Sequence, residues 1–159
     1  MCVFFHVSSQ TLQWPLHGAY LAENKKDQHL FEVLAAINER FAKLQDTLGA
    51  AMRHSLVLSG ERADSFIKVL AIFEKLGVIQ SIEAWQIARA ARNLAAHDYE
   101  TDYKHVAAHF NALDEQHEML NQTAFRFVNY AQEMLRVSPS SSDFSQEFNQ
   151  IAQSSKGNV

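Results

Sequence analysis

From Leu30 onward, apolar side chains recur at Leu30, Leu34, Ile37, Phe41, Leu44, Leu48, Met52 and Leu56. Steps of three and four residues place all of them on one face of an α-helix, with Glu32, Glu39, Arg40 and Lys43 on the polar side. The pattern predicts one long helix that stops at Ser59-Gly60. Gly49 interrupts it at a cost of about 1 kcal/mol relative to alanine and is a place for a bend. A second, shorter helix is capped by Asp64 or Ser65, turns Phe66, Val69, Leu70 and Phe73 inward and ends at Gly77. Ser81 caps a third, with Glu83 well placed in its first turn and a buried stripe of Ala84, Ile87, Ala88, Ala91, Leu94 and Ala95. Thr101 then caps a fourth long helix through Val106, Phe110, Leu113, His117, Leu120, Ala124, Phe127 and Ala131.

Four helices with short connections predict an all-α fold, an antiparallel four-helix bundle over residues 24–137. The apolar opening segment 1–23, which includes Trp14-Pro15, lacks clear periodicity and is left unassigned. Residues 138–159 begin with the serine-rich run Ser138-Pro139-Ser140-Ser141-Ser142 and read as a tail. Within it, Phe144, Phe148 and Ile151 are spaced for a short extra C-terminal amphipathic helix that docks on the bundle or on a partner.

Composition agrees with this architecture. The chain of 159 residues is 47% hydrophobic with only 5 glycines and 2 prolines, which favours helices over a loop-rich sandwich. The single Cys2 excludes an intramolecular disulfide and a multi-cysteine zinc site. Met1 to Val7 carry no basic leader, and no stretch reaches the ~20 apolar residues that span a membrane. A cytoplasmic protein without membrane attachment is expected. The formal net charge of −4 argues against a general nucleic-acid coat, because non-specific affinity is built from many Lys and Arg contacts to phosphate. Any RNA contact has to be local, and Arg89 and Arg92, one helical turn apart, supply such a spot.

The chemistry concentrates in Arg92-Asn93-Leu94-Ala95-Ala96-His97-Asp98-Tyr99. An arginine holds phosphate with a planar fork of donors, and a neutral histidine moves a proton at pH 7. Together they suffice for metal-free cleavage of a phosphodiester. Five helical residues turn about 500°, so Arg92 and His97 stand about 140° apart on an ideal helix. Either the helix unwinds after Ala96, or the working site combines residues from two protomers. The structural alternative is a pair of cations capping the end of the third helix. Asn93, one turn before His97, can orient the imidazole or bind phosphate, or is a solvent-exposed amide. Tyr99 lies two residues past the histidine and otherwise reads as the anchor of a turn.

The pattern R-x4-H-x-Y, with Asn93 directly after the arginine, resembles the motif of the HEPN superfamily, specifically its HepT-type toxins. Phe66-Ile67-Lys68-Val69-Leu70 and Glu74-Lys75-Leu76-Gly77-Val78-Ile79 also look like that family's second helix and the turn leaving it. The resemblance covers roughly residues 28 to 120. It implies a homodimer with both motifs facing a shared cleft, an RNA substrate cut without metal, catalytic roles for Arg92 and His97, and a cognate nucleotidyltransferase antitoxin. It also implies that Tyr99 accepts AMP from that antitoxin. Arg40-Phe41-Ala42-Lys43-Leu44-Gln45-Asp46 reads like the first helix of some relatives, which makes Asp46 a partner for an active-site arginine or else an exposed helical carboxylate.

Other chemistries fare worse. His105 and His109 have the i, i+4 spacing of a ligand pair, but nothing adjacent completes a metal site, and His117 on the apolar stripe reads as a satisfied core histidine. There is no glycine-rich phosphate loop, no G-x-S-x-G elbow and no Cys–His nucleophile, and no cofactor is expected. The rival function is a non-catalytic, substrate- or nucleotide-binding partner subunit of a nucleotidyltransferase, which the negative net charge slightly favours.

Overall fold

A computed structural model describes residues 1–62, 64–93 and 102–154. The described residues form eight helices and no strands: α1 (Cys2–Gln10), α2 (Gly18–Glu23), α3 (Gln28–Leu58), α4 (Phe66–Lys75), α5 (Ile82–Asn93), α6 (Tyr103–Glu115), α7 (His117–Met134) and α8 (Ser145–Ser154). The fold is an all-α helical bundle built around α3.

The long stripe read from the sequence is the buried face of α3. Leu30, Leu34, Ile37, Phe41, Leu44, Leu48, Met52 and Leu56 are all buried, and α1, α4, α5, α6 and α7 pack against this helix. Asp27 caps it by accepting from the Leu30 amide at 3.0 Å. The helix runs unbroken through Gly49. Ser65, not Asp64, caps α4, accepting from the Lys68 amide. Asp64 instead pairs with Arg62 and Lys68. Gly77 leaves α4 with φ of +70°, a conformation glycine adopts without a Cβ clash.

Two helices differ from their sequence reading. On α5 the buried side chains are Trp85, Ala88 and Ala91, whereas Ile87 is 49% exposed. The helix is rotated so that the largest ring, Trp85, faces α3; Leu94 and Ala95 lie outside the described residues. The fourth long helix is two helices, α6 and α7, jointed at Gln116. There the Gln116 amide bonds to the Leu113 carbonyl at 3.2 Å, a tighter turn than the α-helical one, and the apolar stripe continues across it. Asp102 caps α6 through the Lys104 amide at 2.9 Å, a hydrogen bond that holds its carboxyl below the usual range. Thr101 lies outside the described residues.

The opening segment belongs to the same core. Cys2, Phe5, Leu16 and Leu21 are buried in one cluster with the α3 stripe. Burial pushes the Cys2 thiol up to about 11. Asn111 clamps the connector by accepting from the Leu16 amide at 2.7 Å and donating to its carbonyl at 3.0 Å. Arg40 ties α3 to α1, donating to Ser8 Oγ and the Phe4 carbonyl. At the other end α8 docks on α1 and α7, burying Ile151 and Ala152 and setting Phe144 edge-on to Phe4 at 5.2 Å.

His117 sits at the α6–α7 joint, its ring 4.4 Å from Phe5 and 5.4 Å from His6. Its Nε2 is buried and meets no hydrogen-bond partner among the described residues, so this ring is not the satisfied core histidine expected from the sequence. Burial first, and the neighbouring His6 second, push its pKa down to about 4. An unfolded chain protonates His117 near pH 6.5, before the folded one does. Its contribution is therefore complete above that pH and lost as the pH falls from about 6.5 to about 4. Between pH 7 and 5 the loss amounts to about 2 kcal/mol. Urea unfolding at the two pH values should show His117→Gln losing about that much less stability on acidification than the unsubstituted chain.

Candidate functional site

The last turn of α5 carries Arg92 towards the middle of α3. Its Nη1 donates to Asp46 Oδ1 at 2.6 Å and, at 3.4 Å, to the Ala42 carbonyl. The guanidinium side chain is 21% exposed, while Asp46 is 66% exposed. Asp46 is thus both of its alternatives at once, a solvent-facing helical carboxylate and the partner of Arg92. An ion pair so open to water contributes under about 1 kcal/mol to stability and serves mainly to orient the guanidinium.

What fixes α5 against α3 is one residue away. Gln45 is buried and donates from Nε2 to the Trp85 carbonyl at 3.1 Å. Its Oε1 finds no partner among the described residues. Beside it, Gly49 opens room for a ring. A Cβ at this position would stand 3.1 Å from Phe66 Cζ, tighter than an ordinary contact, and 3.6 Å from Trp85 Cζ2, so glycine is what lets Phe66 approach the helix backbone. The Phe66 and Trp85 rings lie 6.2 Å apart and tilted, and Arg53 stands over Phe66 at 5.9 Å.

These residues line an open cleft of about 420 Å³ between α3, α4 and α5. Asp46, Ala50 and Arg53 form one side at i, i+4 and i+7 of α3; Trp85, Arg89 and Arg92 form the other at the same spacing on α5. That spacing keeps each trio on one stripe of its helix. Three arginines face one aspartate here, in a chain whose net charge is −4. Arg53 and Arg89 are exposed and form no ion pair with a described carboxylate. The cleft can therefore attract and hold an anion, and the planar arginine forks suit phosphate.

Of the residues singled out by sequence, the structure brings Arg92, Arg89 and Asp46 to this cleft. Asn93 is exposed and ends α5. His97 and Tyr99 lie outside the described residues, and with them the angular relation between Arg92 and His97. Arg53 escaped the sequence reading. Its signal was the i, i+4, i+7 stripe of Asp46, Ala50 and Arg53, on a helix whose polar face was read only as far as Asp46. The histidines of the metal reading sit apart in kind: His105 is exposed beside Asp102 at 3.2 Å, while His109 is buried, 3.3 Å from Asn38. Among the described residues no cluster of His, Cys, Asp or Glu could hold a metal ion, and no helix is long and apolar enough to cross a membrane.

No family model, no curated protein and no solved structure matches this chain.

Gln45→Ala and Asp46→Ala should separate the two contacts that join α3 to α5. Loss of the buried amide should cost about 2 kcal/mol in urea unfolding, and loss of the exposed carboxylate less than about 1 kcal/mol. Equal costs would mean that the ion pair, and not Gln45, holds the helices together.

Proposed function

We propose that this protein is a metal-independent endoribonuclease of the HEPN type, the toxin of a toxin–antitoxin pair. The observation that carries this reading is Arg92, which lies in the last turn of α5 five residues before His97 and lines a cleft that also holds Arg53 and Arg89. The all-α bundle supports it, as does Asp46, which holds the Arg92 guanidinium at the cleft.

In the proposed reaction the substrate's own 2′-oxygen attacks the adjacent phosphorus. His97, as general base or acid, serves proton removal from that oxygen or proton delivery to the leaving 5′-oxygen. The P–O5′ bond breaks, leaving a 2′,3′-cyclic phosphate on one fragment and a 5′-hydroxyl on the other. Arg92 stabilises the charge gathering on the equatorial phosphate oxygens. DNA is spared because it has no 2′-hydroxyl. A homodimer would bring the motifs of two protomers along one groove, and a nucleotidyltransferase antitoxin would silence the site by attaching AMP to Tyr99. Each added phosphodiester offers Arg92 a negative charge that competes with the RNA backbone.

A second reading keeps the same cleft for a different purpose. Its volume of about 420 Å³ lies within the range of small-ligand pockets, which suits a nucleotide-binding partner subunit of a nucleotidyltransferase.

Purified protein should degrade RNA in excess EDTA and leave 2′,3′-cyclic phosphate ends. Arg92→Ala and His97→Ala should each lower the rate by about 10²–10⁴-fold. Cleavage that depends on added metal, or that extends to matched DNA, overturns this mechanism. When the chain is produced together with its nucleotidyltransferase, intact-mass measurement should find one or more added AMP units, absent from Tyr99→Phe. Silencing with no change in mass would instead assign inhibition to complex formation alone.

A further inference from the structure

Arg92 is engaged by Asp46, but two other cations of the cleft are not engaged by any described carboxylate. Arg53 comes from α3 and Arg89 from α5, so they approach the cleft from opposite helices. Arg89 is one turn before Arg92 on the same face of α5, a separation of about 5–6 Å between Cβ atoms. Arg53 is held differently. Its guanidinium lies over the half-buried Phe66 ring, which packs against the buried Trp85 and on Gly49. A cation resting on an aromatic face loses less freedom when it binds an anion than one waving in solvent. The three guanidinium groups therefore share one cleft, with Arg53 at its Phe66 wall.

We infer that Arg53 and Arg89 form a second phosphate subsite, which holds the backbone of single-stranded RNA next to the phosphate engaged by Arg92. This rests on the ribonuclease reading for the identity of the strand, though not for the presence of the subsite. An extended strand fits the observations better than a single nucleotide. The cations are spread over two helices, one at each side of an open cleft. The subsite would set register on the strand and carry little sequence preference, since contacts to phosphate position a nucleic acid without reading its bases. It would also explain how a chain of net charge −4 holds RNA at all.

The test is fluorescence anisotropy of a labelled 2′-O-methyl RNA hexanucleotide, which cannot be cleaved through the 2′-oxygen, titrated with the full chain at low and moderate salt. Arg53→Ala and Arg89→Ala should each weaken binding about tenfold and lower the slope of log affinity against log salt by about 0.7. Arg53→Lys and Arg89→Lys should recover most of that salt slope. Arg126→Ala, which removes an exposed charge from α7 outside the cleft, should leave both quantities within about twofold of the unsubstituted chain. Unchanged binding in the two alanine variants overturns the subsite. So does an equal loss in Arg126→Ala, which would mean diffuse attraction. Displacement of the hexanucleotide by AMP at an equal concentration of phosphate would replace the strand with a mononucleotide. Because the probe is not cut, the two proposals fail separately. A chain that binds it through Arg53 and Arg89 yet cleaves no RNA keeps the subsite and loses the nuclease. One that cleaves RNA with binding indifferent to Arg53 and Arg89 keeps the nuclease and loses the subsite.

Discussion

Burial of one face of α3 is the constraint on which everything else in this molecule rests. Each of its large apolar side chains contributes about 1.5–3 kcal/mol when removed from water, and the stripe runs through all but the ends of a 31-residue helix. No single neighbour can cover a stripe of that length, so α1, α4, α5, α6 and α7 share the task. The bundle follows from this geometry. Helices that cover successive parts of one axis must also touch one another, and those secondary contacts give the protein its clefts.

The arginine-lined cleft is a consequence of where that covering stops. On the α5 side, the apolar contact is limited to Trp85, Ala88 and Ala91, and the adjoining stripe of α3 turns polar at Asp46 and Arg53. Gly49 then does two opposite things. It weakens the helix locally by lacking a side chain, yet it admits Phe66 close to the backbone and so gives the cleft an aromatic wall. Gln45, buried and with its Oε1 unpartnered among the described residues, joins the two helices through the Trp85 carbonyl. Arg53, seated on this wall, forms no ion pair with a described carboxylate, in a chain where acids outnumber lysines and arginines.

The termini are drawn into the same logic. Arg40 bonds back to α1, Asn111 clamps the Leu16 backbone, and Ser9 donates to Asp114 at 2.8 Å. Burial raises the pKa of that aspartate, with the serine opposing it. The α8 segment covers an apolar area that α1 and α7 leave open, and this is why Ile151 and Ala152 are buried in what reads as a serine-rich tail.

The sequence by itself determined the presence of α3, α4, α5 and α8, the caps Ser65 and Ser81, and the identity of the buried face of α3, because a 3.6-residue period and a capping side chain are local properties. It also marked Arg92, Arg89 and Asp46, through their residue types and spacing. Tertiary structure decided the rest. The rotation of α5, which buries Trp85 and exposes Ile87, depended on which side chain fits beside Gly49, and both are large and apolar in sequence. The joint at Gln116 was invisible because one tightened turn barely disturbs an apolar period. The opening segment had no period to read, since its few apolar residues are buried by partners far along the chain, such as Phe41 and His117 against Phe5. Arg53 acquired its place only when α4 brought Phe66 beneath it. A local pattern can say which face of a helix leaves water, but the neighbour it meets is set by packing among residues distant in sequence.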